Sequence, residues 1–286
     1  MPASPADLAA LIRERQPCVV LTGAGVSTES GIPDFRSPGG VWARFDPARY
    51  ATIDAFRRDP VEVWSFYRLR YELLDDVEPN AGHRALAELE RRGYVRGVMT
   101  QNVDGLHARA GTRELVEVHG TLSSARCLEC GTTVGEHDVR ALLVAAAAPG
   151  CPRCGAILKP DVVMFGELLP EDAFARAAEL SREAALMLVV GSTLEVYPVA
   201  GLPLETLAAG GALAIVNRGP TALDGEATLR IEGAAGETLA AVAELLRATR
   251  RPRASAGARR GRGGSPGRPS ARPRTEPPLA GGSRAS

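Results

Sequence analysis

The sequence predicts an α/β protein: a Rossmann-like parallel sheet with helices on both faces, joined to a small lobe built partly around a metal. Three observations lead there. Short apolar runs, each closed by a glycine or polar turn, alternate with amphipathic helical stretches, and that alternation builds a parallel sheet covered on both sides. The first run, Cys18–Thr22, passes directly into Gly23-Ala24-Gly25, the kind of strand-to-turn junction that holds dinucleotide phosphates in α/β folds. Four of the five cysteines stand in two Cys-x-x-Cys pairs, the spacing of a four-sulfur zinc site.

Along the chain, residues 5–16 form a helix in which Leu8, Leu11 and Ile12 recur at helical spacing behind a Ser4 cap. Residues 18–22 are a buried strand, with Cys18 as one of its apolar positions. Residues 81–92 are helical, with Ala85, Leu86 and Leu89 on one face, and Val95–Thr100 and Leu115–Val118 read as strands. An Ala- and Leu-rich helix is expected over 136–148, between the cysteine pairs, and another over 171–184. Leu186–Val190 and Leu213–Val216 are buried strands, Thr228–Ile231 is an edge strand, and a last helix over 237–248 places Leu239, Val242 and Leu246 together.

A chain of 286 residues with 45% hydrophobic and 24% charged residues can bury a core. No run approaches the ~18 apolar residues of a membrane span, and Asp7, Arg13, Glu14 and Arg15 occupy the stretch that a signal peptide keeps apolar. A cytoplasmic location is therefore expected. The zero net charge hides an asymmetry: residues 250–286 hold ten Arg and one acid, Glu276, so the rest of the chain carries the balancing acid excess. A main body that grips nucleic acid over its whole surface is excluded. The tail is rich in Arg, Gly, Pro and Ser, has one large aliphatic, Leu279, and is expected to be disordered. Its charge suits weak contact with nucleic acid or acidic partners. Lys159 is the only lysine.

Cys127-Leu-Glu-Cys130 and Cys151-Pro-Arg-Cys154 are each followed by glycine, Gly131 and Gly155. Each loop can turn two thiolates toward one ion, and four sulfur ligands leave no open position, so the expected zinc is structural. Disulfides or a redox pair are the alternative, which a cytosolic setting disfavours. Of the four histidines, His83 is expected to cap or pack a helix start, His107 to pack beneath the loop at Asn102, and His137 to be exposed. The turn at Gly23 alone is weak evidence, because no acidic residue near position 42 closes a second strand as a ribose clamp would.

The residues beyond that turn are more specific. The chain reads Gly31-Ile-Pro-Asp-Phe-Arg-Ser37, then Gln101-Asn-Val-Asp-Gly-Leu-His107, Val118-His-Gly120, Leu158-Lys-Pro-Asp-Val-Val-Met-Phe-Gly-Glu167, Gly191-Ser-Thr-Leu-Glu-Val-Tyr-Pro198 and Ile215-Val-Asn-Arg218. In this order the motifs resemble those of the sirtuins, the NAD-consuming protein-lysine deacylases, over roughly residues 8–247. The resemblance implies a catalytic domain over residues 1–249, with a zinc module at about 121–157 and a helical insertion at about 37–80.

It also implies roles. Gly23, Ala24, Gly25 and Ser27 would line the NAD phosphates, with Asp34, Phe35 and Arg36 on a flexible cofactor loop. Gln101 would bond the nicotinamide-side ribose, while Asn102 and Asp104 line the nicotinamide pocket and share in catalysis. Gly191, Ser192, Thr193, Asn217 and Arg218 would hold the adenosine half, and His119 would be the general base that deprotonates a ribose hydroxyl. Val162, Val163, Phe165 and Gly166 would pair as a strand with the acylated substrate peptide, with Leu194 and Val196 on its other side. The expected reaction transfers acetyl from lysine to ADP-ribose, with nicotinamide released.

Tyr67 and Arg70 lie i, i+3 and can share one helix side. The pair resembles the Tyr-x-x-Arg with which the desuccinylase branch binds an acidic acyl carboxylate, although Asp34 and Pro38 depart from that branch. Removal of succinyl or malonyl groups is thus an alternative, with Tyr67 and Arg70 as plain helix-surface residues on the other side. Two further alternatives are protein mono-ADP-ribosylation and a noncatalytic zinc-bearing binding module. The last predicts loss of His119, Asn102 or Asp104, and all three are present.

Overall fold

The computed structural model describes residues 2–248. In chain order its strands are β1 (Cys18–Thr22), β2 (Gly97–Thr100), β3 (Leu115–Glu117), β4 (Gly120–Cys127), β5 (Thr133–Gly135), β6 (Leu158–Val162), β7 (Leu186–Val190), β8 (Ala212–Asn217) and β9 (Leu229–Glu232). The helices are α1 (Pro5–Glu14), α2 (Pro47–Tyr50), α3 (Ile53–Arg58), α4 (Pro60–Asp75), α5 (Ala81–Arg91), α6 (Leu106–Ala110), α7 (Glu136–Ala145), α8 (Glu171–Glu183), α9 (Leu202–Ala208) and α10 (Ala235–Ala248). The basic tail, expected to be disordered, lies outside the described residues.

Six strands form one parallel sheet in the order β3-β2-β1-β7-β8-β9. The chain winds outward from β1 in one direction, then from β7 in the other. The crevice beyond the carboxyl ends of those two strands is where such sheets bind ligands. Side-chain alternation explains the two-sided cover. Cys18 and Val20 of β1 join a core with Leu8, Ile12, Leu86, Leu89, Leu239 and Val242, contributed by α1, α5 and α10. Val19 and Leu21 face the opposite core, with Ala177, Leu180 and Leu202 of α8 and α9. β7 divides in the same way, Leu186, Leu188 and Val190 against Met187 and Val189.

Helix α1 starts where Ser4 predicts. The Asp7 N–H donates to Ser4 Oγ at 3.3 Å, and the Ser4 N–H donates back to Asp7 Oδ2 at 2.8 Å. Strand β2 begins later than the apolar pattern suggests, at Gly97, because the N–H groups of Tyr94 and Val95 turn back onto the Leu89 carbonyl and close α5. Helix α7 stops at Ala145, three residues short of expectation. The Arg68 guanidinium there takes the carbonyls of Leu143 and Ala146, each at 2.7 Å, and so ends the helix with a charge.

A second sheet, antiparallel in the order β5-β4-β6, carries the cysteine pairs. It was not foreseen as strands, since β4 reads Gly-Thr-Leu-Ser-Ser-Ala-Arg-Cys and is only partly buried. Helix α4 packs onto it. Trp64 Nε1 donates to the Leu158 carbonyl at 2.6 Å and Tyr71 Oη to the Leu122 carbonyl at 2.7 Å. Both aromatic bodies are buried with Val134, Val139 and Leu143, so their polar atoms need those partners.

Candidate active site

A cleft of about 1280 Å³ opens beyond the carboxyl ends of β1, β2, β7 and β8. Its floor is made where two glycine turns press together. The Gly23 N–H donates to the Val190 carbonyl at 3.0 Å and the Gly25 N–H to the Gly191 carbonyl at 2.9 Å. A Cβ on Gly23 would lie 2.8 Å from the Gly191 oxygen, and one on Gly25 would lie 2.8 Å from the Gly191 Cα. The glycines are therefore demanded by the neighbouring loop, not only by ligand approach. The stretch after them is not an α-helix but a 3-10 run, Ala24–Ser30, ended by Gly31 at φ 91°.

Beneath this floor, polar side chains are tied to one another. Ser27 Oγ donates to Asp104 Oδ2 at 2.7 Å, and Asn102 Nδ2 donates to Ser27 Oγ at 3.1 Å and to the Gly23 carbonyl at 3.2 Å. Asp104 Oδ1 accepts the Leu106 N–H at 2.9 Å. Ser27 and Asp104 do not line the main cleft. They line a small cavity behind it, which Asn102 shares with the cleft. Behind them, the His83 and His107 rings meet at 4.7 Å. Burial holds their pKa values down, to about 4 and about 3, so both are neutral at pH 7. His83 Nδ1 accepts the Asn80 N–H at the start of α5, and His107 Nε2 lies 2.9 Å from Thr22 Oγ1 beneath the Asn102 loop. His137 is exposed.

His119 lines the cleft. Its Nδ1 lies 3.2 Å from the Gln101 carbonyl, which can only accept, so Nδ1 carries the proton and Nε2 keeps its lone pair. Burial moves its pKa below the usual value, with the Gln101 bond opposing. The Gln101 side chain donates to Ser192 Oγ at 2.9 Å. Gly191, Ser192, Thr193, Asn217 and Arg218 all border the same cleft. Asn217 Nδ2 is spent on the carbonyls of Arg218 and Gly219, each at 3.0 Å.

The segment after Gly31 folds over the cleft. Asp34 Oδ1 accepts the N–H groups of Arg36 and Ser37, at 3.0 and 2.8 Å, and Arg36 pairs with Glu195 at 3.5 Å. The Phe35 and Trp42 rings are 5.1 Å apart. Opposite stand Tyr67 and Arg70 of α4, both buried and both lining the cleft. The Arg70 guanidinium lies 5.5 Å from the Phe35 ring centre. Burial lowers its pKa, against the pull of Tyr67 and Asp104, and burial raises that of Tyr67. The reading of Arg70 as a solvated helix-surface residue is thus overturned; Arg68, two residues earlier, is the one that closes α7.

Val162, Val163, Phe165, Gly166 and Val196 border the cleft as expected. Leu194 does not: it is buried in the core below, at φ 59°. Some main-chain groups of the expected peptide-pairing segment already have partners. Phe165 donates to the Ala51 carbonyl and accepts from Ile53, at 2.8 and 3.0 Å, and Val163 donates to the His119 carbonyl at 2.8 Å. Glu29 turns away from the cleft and accepts the Gly236 N–H at 2.8 Å, anchoring the first turn of α10. Trp42, Ala51, Phe66 and Gly233–Ala235 also line the cleft and were missed. They carry no motif, only apolar surface or small size, and distant segments bring them together.

Cys127, Cys130, Cys151 and Cys154 converge, their sulfurs all within 4.8 Å of one another and with no disulfide. A tetrahedron with Zn–S bonds of ~2.3 Å has edges of ~3.8 Å, and the Cys127–Cys154 and Cys130–Cys151 sulfurs stand 3.5 and 3.6 Å apart. The donor set fits one zinc ion. Gly131 and Gly155 take φ of 72° and 80° as the two knuckles turn.

The comparisons with known proteins point one way. The model of the Sir2 family matches residues 23–198. The chain is 45% identical to "NAD-dependent protein deacylase 2" of Pyrobaculum aerophilum, over 86% of this chain and 98% of that one. It is 47% identical to "NAD-dependent protein deacylase" of Thermus thermophilus, a bacterial relative, over 80% and 90%. Among solved structures, "Sir2-p53 peptide-NAD+" aligns with a TM-score of 0.79 at 38% identity, covering 86% of this chain and 100% of that one. "Structure of Sir2Tm bound to a propionylated peptide" gives 0.77 at 39%, covering 85% and 98%.

Proposed function

Because the chain belongs to the Sir2 family, the sirtuins, we propose that its cleft carries out NAD-dependent deacetylation of protein lysine, moving the acetyl group to ADP-ribose and releasing nicotinamide. The observation that carries this is His119: a neutral imidazole anchored at Nδ1, with its basic Nε2 free at the wall of a cleft that begins at the dinucleotide turn. Bound NAD supplies the ribose carbon that receives the acyl group and nicotinamide as leaving group.

The chain's residues divide the remaining work. Ala24, Gly25, Ser192, Thr193, Asn217 and Arg218 hold the dinucleotide along the strand ends. Asn102, whose two N–H donors go to Ser27 and the Gly23 carbonyl, offers its side-chain oxygen to the nicotinamide carboxamide. Phe35, braced by Trp42, excludes water above the reacting ribose. His119 Nε2 takes the ribose hydroxyl proton, and burial helps by keeping the ring neutral at pH 7. Zinc held by Cys127, Cys130, Cys151 and Cys154 would tie the two knuckles that end β4 and precede β6, with no open position left for chemistry. Residues 1–249 act as the catalytic domain, with the zinc module at about 121–157 and the helical insertion at about 37–80.

Arg70 favours a second activity, removal of acidic acyl groups. Its guanidinium is buried at the cleft wall, stacked near Phe35, with Tyr67 on the same side of α4. A succinyl or malonyl carboxylate would give that charge a forked partner. The substrates are acylated lysine-containing proteins, in keeping with a cytoplasmic enzyme; among the described residues no helix is long and apolar enough to cross a membrane. The arginine-rich tail would add weak contacts to nucleic acid or acidic partners.

Incubation with acetylated peptide and NAD, with products weighed by mass spectrometry, tests the reading. O-acetyl-ADP-ribose with free lysine is the expected outcome. Protein gaining ADP-ribose would make the chain a transferase instead, and no product at all would leave it a binder.

A further inference from the structure

We propose that Lys159, buried, and Glu167, half-buried at the edge of the cleft, form a positioning pair for the substrate segment 162–166, fixing its main chain. The inference rests on the deacylase reading above and adds residues that reading does not use.

Lys159 sits in β6 and is 6% exposed. Its ammonium donates to the Val162 carbonyl at 2.6 Å and the Pro160 carbonyl at 3.1 Å, and pairs with Glu167 Oε2 at 3.0 Å. An ammonium has three donors, and here each has an acceptor. Glu167 Oε2 also accepts the Met164 N–H at 2.8 Å. One cation and one carboxylate thus hold the chain at Pro160, Val162 and Met164, the last two of which border the cleft. The outer side of the same segment is held by Ala51 and Ile53 through Phe165, and by His119 through Val163.

The arrangement is costly to leave half made. A buried ammonium left without its carboxylate is strongly unfavourable, and Lys159 is the buried member of the pair, Glu167 being half-buried. The segment therefore has one well-defined conformation, with the pair intact. Main-chain recognition of a peptide depends on where such groups are held, and holding them before the peptide arrives removes an ordering cost from binding. An apolar pair could pack β6 as well, but it could not hold two carbonyls and an N–H at once.

The test uses Glu167→Ala, Glu167→Gln, Lys159→Met and Lys159→Arg in the full zinc-loaded protein. Glu167→Ala should raise KM for acetylated peptide about tenfold or more, a loss of ~1.4 kcal/mol or more, with KM for NAD within about twofold. Glu167→Gln, which keeps an oxygen for the Met164 N–H and for Lys159, should recover much of the loss. Lys159→Met should act like Glu167→Ala and Lys159→Arg should be milder. Where Lys159→Met fails to fold, the Glu167 pair decides alone. Hydrogen exchange in the free enzyme gives a readout independent of turnover: Glu167→Ala should speed exchange at 163–167 and leave β7 unchanged. An unchanged peptide KM, an equal rise in both KM values, or a fall in kcat alone would overturn the proposal. So would unchanged exchange at 163–167, even if wild type proved inactive on acyl-lysine, an outcome that would separately sink the deacylase reading.

Discussion

The two walls of the cleft are built on different physics. On the sheet wall and in the small cavity behind it, polar side chains satisfy one another: Ser27 with Asp104 and Asn102 behind, Gln101 with Ser192 and His119 with the Gln101 carbonyl at the cleft. On the wall supplied by the helical insertion, contacts are aromatic and apolar. The Trp42 ring lies 6.0 Å from that of Phe66, and Phe45 and Tyr50 also pack on Phe66. One guanidinium, Arg70, stands among them. The sheet wall is pre-organised for one cofactor and one reaction, since each hydrogen bond admits few residue types. The insertion wall sets what fits beside it, and apolar packing tolerates exchange of one bulky side chain for another. Chemistry is specified on one side and substrate choice on the other.

The largest expected effect separates the walls outright. Cys130→Ala, or metal removal by a strong chelator, should unfold the cysteine lobe, because thiolate binding free energy of order 10 kcal/mol is folding free energy there. Deacylation should vanish while the main sheet stays protected in hydrogen exchange. Full activity and unchanged melting without metal would show that the lobe does not depend on its ion. Next comes His119→Ala, expected to cost ~10²–10⁴-fold in turnover while NAD affinity, measured by calorimetry, changes little. Equal loss of affinity would recast His119 as a binding residue.

A smaller effect probes the insertion wall. Arg70→Met should lower desuccinylation relative to deacetylation by ~10- to 150-fold, since hydrogen bonds to charged groups contribute ~1.5–3 kcal/mol. Paired kinetics on acetyl and succinyl versions of one peptide will show it, and equal change on both would assign Arg70 to stacking on Phe35 alone. The last effect, read in stability rather than in rate, concerns the sheet wall's foundation. His83 and His107 have folded pKa values of about 4 and about 3, below the ordinary ~6.5. Between these values the unfolded chain binds protons that the folded one refuses, so stability should fall as pH drops from ~6.5 toward 4, by at most ~1.4 kcal/mol per pH unit for each group. Denaturant midpoints across that range, compared with a His107→Asn variant, measure the slope. A flat profile in wild type would mean that the histidines are charged or solvated.

Reading the chain alone reached the sheet wall and stopped short at the other. The strands β1, β7 and β8 are nearly unbroken apolar runs, so their burial on two faces leaves a direct trace. The cysteines were reached through their spacing, which four-sulfur ligation restricts, whereas Asn102 and His119 were reached only through the family resemblance, and both border the cleft. Leu194 was misplaced because a motif records order along the chain, not which side chain turns inward. Strand β4 was missed because partial burial breaks its alternation, β5 because it is only three residues long, and β6 because Lys159, Pro160 and Asp161 interrupt its apolar run. Trp42 and Phe66 leave no pattern, since they meet only after the insertion folds across the cleft. Glu29 shows the same limit: it lies close to the glycine turn in sequence, yet its partner is Gly236, far along the chain.

The burial of Lys159 has a consequence for the enzyme as a member of its own substrate pool. It is the chain's only lysine, and its amine is enclosed by two carbonyls and a carboxylate. Reactive acyl donors that mark lysines across a cell's proteins find no ε-amine on this surface. In the folded chain the mark has no exposed ε-amine to settle on, and every exposed cationic side chain is an arginine or a histidine, which such donors do not convert into acyl-lysine.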